Sequence, residues 1–150
     1  MTTAQAVMHG EVAHIGVRDT LDIAAQQMRQ RGIGALPICD GEGNPVGIVT
    51  DRDIVVNCVA LGHNPATATA GEYAQGDELR TVETGTDIGE ALALMERYQI
   101  RRLPVTDHGR LVGIITEADL ARELPEQEVG EFVEAVCEPQ LPAQAEAPTA

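Results

Sequence analysis

Two short steps in the sequence combine a threonine with an aspartate three residues later. Thr50 and Asp53 form the first step, and Thr116 and Asp119 form the second. A hydroxyl at the start of a helix accepts a backbone hydrogen bond, and a helix amino terminus is favourable for a phosphate. A nearby carboxylate can accept both hydrogens of a vicinal diol, as acidic residues do for ribose in dinucleotide folds. The spacing is also close to a capping box, so helix capping alone is the competing interpretation.

The positive charges near these two steps differ. Arg101 and Arg102 directly precede a Leu-Pro pair in the second half of the chain, where the first half has Gly34 and Ala35. Guanidinium forks suit phosphate, and an anion bound by a chain of net charge −14 needs local cations. Arg52 is the only obvious cation for the other step. The sequence therefore predicts that a phosphorylated ligand binds better at the second step. Pairing of Arg101 and Arg102 with surface acids is the alternative.

One histidine and one cysteine are candidates for soft metal ligands. His14 ends a predicted strand and Cys39 follows the neighbouring strand, so the two side chains are expected to lie near each other. A closed zinc site needs four ligands and no third or fourth is evident, so we favour a structural role and assign no metal site. The sequence also lacks a Ser/His/Asp spacing, a P-loop and a GxGxxG loop. No catalytic residue is assigned, and an enzyme is not expected.

The segments that must position these residues occur twice. Residues 20–39 match residues 87–106, and residues 40–54 match residues 107–120 with one residue fewer in the turn. In each copy a stretch with apolar residues at helical spacing precedes two short apolar runs around a glycine-containing turn, which predicts a helix and then a β-hairpin. A leading strand and a closing helix complete the unit. The predicted fold class is therefore α/β (α+β), with two βαββα repeats.

The repeats divide the chain into five parts. Residues 1–62 form the first repeat, residues 63–75 a linker, and residues 76–125 the second repeat. Apolar residues at helical spacing predict an amphipathic helix over residues 126–138. The Pro- and Ala-rich residues 139–150 are predicted to be disordered. The later part of the linker aligns with the start of the chain, so the segment that leads into each repeat is duplicated as well.

The overall charge excludes some classes of partner. Ten arginines, no lysine and 24 carboxylates give a net charge of −14, which repels nucleic acid and anionic membrane surfaces unless a local basic patch intervenes. No apolar run approaches the roughly 18 residues of a membrane span, and no classical signal peptide is evident. We therefore expect a cytoplasmic protein that binds neither nucleic acid nor membrane.

The doubled pattern resembles the CBS-domain family, in the tandem arrangement called a Bateman module. The resemblance covers roughly residues 2–124 and rests on the segments GIVTDRD (47–53) and GIITEAD (113–119), together with two Leu-Pro-Ile/Val strands. Both segments match the family's Gly-hydrophobic-hydrophobic-Thr/Ser-x-x-Asp signature. The chain is also similar to stand-alone two-CBS proteins of actinobacteria, including hypoxia-response members. The resemblance implies two repeats packed about a pseudo-two-fold axis with two clefts between them.

The resemblance also implies a ligand and roles for individual residues. In this family the clefts often hold AMP, ADP, ATP or S-adenosylmethionine, as regulatory ligands and not as obligatory cofactors. Asp53 and Asp119 would accept hydrogen bonds from ribose hydroxyls, and Thr50 and Thr116 would lie near the phosphate. The other residues implied to bind phosphate or line the adenine slot are Ile15, Ala35, Leu36, Pro37, Arg52, Thr81, Val82, Arg101, Arg102, Leu103 and Pro104.

A CBS pair with no attached domain is implied to be a non-catalytic sensor. In such a module the ligand shifts the packing of the repeats or of a homodimer, and a protein target, which the sequence does not identify, reads the change. The alternative is a ligand-free stress-response protein whose acidic carboxy-terminal helix or dimer surface binds a partner.

Overall fold

Two three-stranded sheets form the framework of the chain, one in each repeat and each with its strands in sequence order. The structure is a computed structural model that describes residues 2–10, 12–73 and 79–137. In both sheets the first strand is parallel to the second, and the second is antiparallel to the third. The predicted mixed α/β class is confirmed. The predicted disordered tail, residues 139–150, lies outside the described residues.

The elements of the two halves follow one another in the same order. The first half contains α1 (Ala4–Val7), β1 (Ile15–Gly16), α2 (Leu21–Arg31), β2 (Ala35–Cys39), β3 (Pro45–Thr50) and a π-helix (Asp53–Val59). The second half contains a 3₁₀-helix (Ala70–Tyr73), β4 (Val82–Glu83), α3 (Ile88–Tyr98), β5 (Arg102–Asp107), β6 (Arg110–Thr116), α4 (Glu117–Glu123) and α5 (Glu126–Cys137). The predicted helix, hairpin and closing helix are present in both copies, and the leading strands are short.

Each repeat has its own apolar core. Leu36 and Ile38 of β2 are fully buried in the first core, and Leu103 lies in the second. Successive residues of a strand face opposite sides, so the neighbours Ala35 and Pro37 point away from the first core. All five residues of β2 are nevertheless buried, which means that both faces of this strand are covered. The second face is the one that meets the other repeat.

The segments that lead into the repeats are exchanged between them. We call residues 2–10 the first lead-in and residues 69–73 the second lead-in. Ala4 of the first lead-in is buried in the core of the second repeat, and Ala70 of the second lead-in is buried in the core of the first. The same backbone bond anchors both: the Ala4 N–H donates to the Thr86 carbonyl, the Ala70 N–H donates to the Asp19 carbonyl, and both distances are 2.7 Å. Each core is thus completed by the other half of the chain.

The two hairpin turns meet reciprocally. Gly43 of the first turn lies beside Arg110 of the second, and Gly109 of the second lies beside Asn44 of the first. The Leu111 N–H donates to the Gly43 carbonyl at 3.0 Å. Both glycines have φ angles, 87° and 84°, that a side chain would strain. Such mutual contact between equivalent positions is what a pseudo-two-fold arrangement produces.

The predicted amphipathic helix is present as α5. Phe132 and Val136 are buried in the core of the second repeat, whereas Val133 is 41% exposed. The helix packs against α3 and α4, and the Gln99 amide donates to the Ala135 carbonyl at 3.2 Å. Within the described ranges, no helix is long and apolar enough to cross a membrane. The cytoplasmic location stays a prediction.

Candidate ligand-binding cleft

A cavity of about 530 Å³, called the cleft below, lies between the two repeats. Its volume falls in the range of roughly 300–1,000 Å³ that is usual for small-molecule sites. Its walls come from the segment before β1, from the end of α2 and β2, from the start of β5, and from the junction of β6 with α4. The lining residues are His9, Val12, Ala13, Arg31, Ile33, Gly34, Ala35, Pro37, Arg101, Arg102, Ile114, Thr116, Glu117 and Ala118.

Five of the residues predicted from the sequence line this cleft. Ala35 and Pro37 come from the first repeat, and Arg101, Arg102 and Thr116 come from the second. The structure therefore brings the apolar strand of one repeat to the arginine pair and the second threonine step of the other.

Other predicted residues lie away from the cleft wall. Leu36 and Leu103 alternate with residues of the opposite strand face and fill the two cores. Ile15 is buried in the first core, and Val82 packs against the second. Five further predicted residues also lie outside the lining of this cleft: Thr50, Arg52, Asp53, Thr81 and Pro104.

Three arginines give the cleft a positive local charge. Arg31, at the end of α2, adds to Arg101 and Arg102, and Glu117 is the acid among the lining residues. The Arg101 Nε atom lies 3.5 Å from Glu117 Oε1 without a hydrogen bond, and Arg101 Nη2 lies 3.1 Å from the Cys137 sulfur. In the part of the chain that the structure describes, Arg31 and Arg102 form no ion pair. Pairing with a surface acid, the alternative for the arginine pair, is therefore observed for Arg101 only.

Asp119 lies next to the cleft and is only 2% exposed. Its Oδ2 atom accepts hydrogen bonds from the Thr116 N–H at 2.8 Å and from the Thr116 hydroxyl at 2.9 Å. The Thr116 N–H bond and the bond from the Asp119 N–H to the Thr116 hydroxyl oxygen at 3.4 Å form the capping box at the start of α4. The carboxylate also accepts from His9 Nδ1 at 2.9 Å and from Arg122 Nη2 at 2.6 Å. Because a carboxylate only accepts, His9 Nδ1 carries the hydrogen. Helix capping is thus confirmed for Thr116 and Asp119. The cap residue Thr116 and the Asp119 partner His9 both line the cleft.

Asp53 forms the same cap in a more open setting. Its Oδ2 atom accepts from the Thr50 N–H at 3.0 Å, and the Thr50 hydroxyl accepts from the Asp53 N–H at 3.1 Å. The Asn57 amide lies 3.4 Å from the other carboxylate oxygen. Where the second repeat has Arg122, the first has Val56, which is exposed. The two caps therefore have the same pattern of hydrogen bonds, but the second has an arginine beside it where the first has a valine.

The structure places His14 directly before β1 and Cys39 at the end of the neighbouring strand β2. Gly16 pairs with Cys39 across β1 and β2, and the exposed His14 lies two residues earlier with Nδ1 3.4 Å from the Val12 carbonyl. Burial, and then the neighbouring Asp40 carboxylate, raise the pKa of the Cys39 thiol, which disfavours the thiolate that binds metals. Among the described residues, no group of three or more His, Cys, Asp or Glu side chains is placed to hold a metal ion.

Sequence reasoning missed three polar residues of the cleft: His9, Arg31 and Glu117. His9 belongs to the first lead-in and reaches the cleft because its N–H donates to the Ile114 carbonyl at 3.1 Å in the second repeat. The duplicated lead-in was a signal that this segment packs in an equivalent way twice. Arg31 stands three residues before Gly34 and Glu117 directly follows Thr116, so proximity to predicted positions was the signal for both.

Comparison with known proteins identifies the class. The CBS domain profile matches residues 4–59 and 74–126. The chain therefore belongs to the CBS-domain family, as a tandem pair. It is 50% identical over 139 residues to hypoxic response protein 1 of Mycobacterium tuberculosis, a match that covers 93% of this chain and 96% of the relative. It is also 34% identical over 121 residues to the CBS domain-containing protein YhcV of Bacillus subtilis, covering 81% and 84%.

Solved structures share the fold. The crystal structure of hypoxic response protein I with two coordinated zinc ions is 49% identical, with a TM-score of 0.76 over 83% of this chain and 100% of that chain. The hexameric CBS-CP12 protein from bloom-forming cyanobacteria is 29% identical, with a TM-score of 0.70 over 89% and 74%. The zinc ions and the hexamer are properties of those proteins. Tandem CBS proteins of this kind have regulatory or signalling roles.

Proposed function

We propose that this chain is a non-catalytic regulatory module that binds a phosphorylated adenosine-type ligand in the cleft and signals the bound state to a protein partner. AMP, ADP and ATP are the ligands that its charge favours, and S-adenosylmethionine is a less anionic candidate. The observation that carries the proposal is the concentration of Arg31, Arg101 and Arg102 around one cleft in a chain of net charge −14. A local positive field of this kind attracts an anion that the rest of the protein repels.

The position of the arginines also supports a signalling role. Arg31 belongs to the first repeat and Arg102 to the second, so an anion between them contacts both halves. A ligand that binds both halves changes the free energy of their packing, and this is the differential interaction that regulation requires. Hypoxic response protein 1, a relative of this chain, supports a stress setting.

A thermal-shift screen with AMP, ADP, ATP, S-adenosylmethionine and NADH tests the proposal. A ligand that binds only the native state stabilises it by about 2.7 kcal/mol at 100 times its Kd. We expect the phosphorylated adenosine ligands to raise the melting temperature. The Arg102→Ala variant should lose most of this shift. Arg29→Ala is the matched control, because Arg29 lies on α2 outside the cleft lining. No shift with any ligand at millimolar concentration would contradict the proposal.

A ligand-free interaction protein remains the second candidate, and an exposed apolar surface favours it. Val55, Val56 and Val59 of the π-helix and Leu61 beyond it are exposed, Val55 to 59%. We propose that a second copy of the chain covers this surface in a homodimer, since exposed apolar patches mark association sites. Sedimentation velocity should detect a dimer that Val55→Glu dissociates and that Val46→Glu, on β3, leaves intact. A monomeric wild type at micromolar concentration would contradict the dimer.

A further inference from the structure

We propose that His9 is the gate of the cleft: its side chain occupies the Asp119 carboxylate when no ligand is bound and must leave before a ribose diol can bind there. This inference rests on the proposed function, because it requires an adenosine-type ligand in the cleft. It adds a residue outside the two signature segments, and it adds a regulatory step to binding.

The hydrogen-bonding capacity of Asp119 is already used. An ionised carboxylate offers about four acceptor positions. Oδ2 accepts from the Thr116 N–H, the Thr116 hydroxyl and His9 Nδ1, at 2.8, 2.9 and 2.9 Å. Oδ1 accepts from Arg122 Nη2 at 2.6 Å and lies 3.1 Å from His9 Nδ1. A vicinal diol brings two further donors, and His9 Nδ1 is the one present donor within hydrogen-bonding distance of both carboxylate oxygens. It must move away before both hydroxyls can bind.

His9 is the partner that can leave. The Thr116 N–H bond belongs to the capping box of α4, and losing it would open the start of that helix. The Thr116 hydroxyl is held beside the carboxylate because its oxygen accepts the reciprocal bond of the box from the Asp119 N–H at 3.4 Å. Arg122 sits on the same helix three residues from Asp119 and is not among the cleft-lining residues. The His9 side chain, in contrast, lines the cleft, is 52% exposed, and comes from the first lead-in. It therefore stands between the entering ligand and the carboxylate.

The backbone at His9 stays fixed while its ring moves. The His9 N–H donates to the Ile114 carbonyl at 3.1 Å, and the Ile114 N–H donates to the His9 carbonyl at 3.2 Å. The segment lies so close to β6 that a Cβ at Gly113 would come within 2.1 Å of the Met8 sulfur. Opening is thus a rotation of the His9 side chain. It frees the Nδ1 donor of His9, which lies on the first lead-in and therefore on a segment of the first repeat that packs on the second.

Calorimetric titration with AMP and 2′-deoxy-AMP tests the gate. His9→Ala removes the competitor, so it should bind AMP about tenfold more tightly than wild type, the factor expected for one hydrogen bond to a charged group. The affinity for 2′-deoxy-AMP should change less, since that ligand lacks one of the two donors that replace His9. His14→Ala is the matched control, because His14 is exposed on the same stretch of chain without contact to Asp119. Unchanged or weaker AMP binding by His9→Ala would overturn the gate.

A double-mutant cycle on unfolding, without any ligand, separates this inference from the proposed function. His9→Ala and Asp119→Asn should have strongly non-additive effects if the side chains are bonded in the empty cleft. Additive effects, with AMP binding intact, would overturn the gate and leave the proposed function standing. Coupling without AMP binding in either wild type or His9→Ala would overturn the proposed function and the gating role together. The contact would then be a structural latch.

Discussion

Asp53 and Asp119 occupy the same turn of the two repeats, and each closes a cap with the threonine three residues before it. Around Asp119 the chain adds His9 and Arg122, whereas around Asp53 the position of Arg122 holds the exposed Val56. The signature motif therefore specifies the turn but not what the turn does. The residues around the motif decide whether a histidine and an arginine contact its carboxylate, as at Asp119, or whether an exposed valine takes the arginine's position, as at Asp53.

The closing helices show the same divergence on a larger scale. The helix α4 is followed by α5, whose Phe132 fills the second core. The π-helix of the first repeat instead leaves Val55 and Val59 exposed. Under the two proposed roles, the second repeat supplies two of the three arginines of the cleft, and the first repeat supplies the surface for a second copy of the chain. Duplication thus provided two copies of one scaffold for two different tasks.

The largest expected effect concerns the helix that follows the second repeat. Phe132→Ala should lower the free energy of unfolding by about 3–5 kcal/mol, because it removes a fully buried aromatic ring from the second core. Val133→Ala is the control on the same helix, and its half-exposed side chain should matter far less. Urea unfolding measures both. Similar losses for the two variants would show that α5 does not anchor the second repeat as described.

The free energy of unfolding should fall by a smaller amount when the first lead-in is crowded against β6. Gly113→Ala places a Cβ 2.1 Å from the Met8 sulfur and 3.1 Å from the His9 carbonyl, so the segment must shift at a cost of about 1–3 kcal/mol. Gly85→Ala is the control, since a Cβ there meets nothing within 4 Å. Hydrogen exchange should show lost protection in β6 and not in β3. Equal loss in both strands would mean that the repeats do not respond separately.

The comparison of the two carboxylates is sharpened by ligand affinity. Asp119→Ala should weaken AMP binding about tenfold or more, since a lost hydrogen bond to a charged group is worth about 1.5–3 kcal/mol. Asp53→Ala should change it less than twofold, a difference under about 0.5 kcal/mol. Calorimetry with AMP measures both. If Asp53→Ala abolished binding and Asp119→Ala left it intact, the ranking of the two sites would be reversed.

The smallest effect expected is the pH dependence contributed by one carboxylate of the second repeat. The Thr106 hydroxyl, and then the His108 N–H at 2.9 Å, lower the pKa of Glu83, and Gly16 occupies its place in the first repeat. A lowered carboxyl pKa stabilises the fold above the unfolded value of about 4.3, and this contribution is lost as pH falls through the lower folded value.

Glu83→Gln should therefore flatten the fall in melting temperature on acidification below about pH 4.5. The exposed Glu90→Gln on α3 is the charge-matched control, and differential scanning fluorimetry measures both profiles. A profile for Glu83→Gln that follows the wild type would contradict the assignment.

Some residues of the cleft are predictable from the sequence, and others are not for a physical reason. Thr116, Arg101 and Arg102 can be predicted because they belong to, or directly precede, segments that occur at matching positions in both repeats. Leu36 is wrongly expected in the cleft together with Ala35 and Pro37, because successive residues of a strand face opposite sides and only its neighbours face the cleft. His9 was not found because its place depends on a contact with Ile114, more than 100 residues away along the chain. Local spacing carries no record of such an exchange between halves.

The exchanged lead-ins have a consequence for how the halves stay together. Each half completes its interior with a stretch of the other, as the bonds from Ala4 to Thr86 and from Ala70 to Asp19 illustrate. Two separate halves would have to find one another by diffusion, and dilution would part them. Because one continuous chain joins them, they see each other at a high effective concentration, of about millimolar order for short connections. Their union is therefore independent of protein concentration.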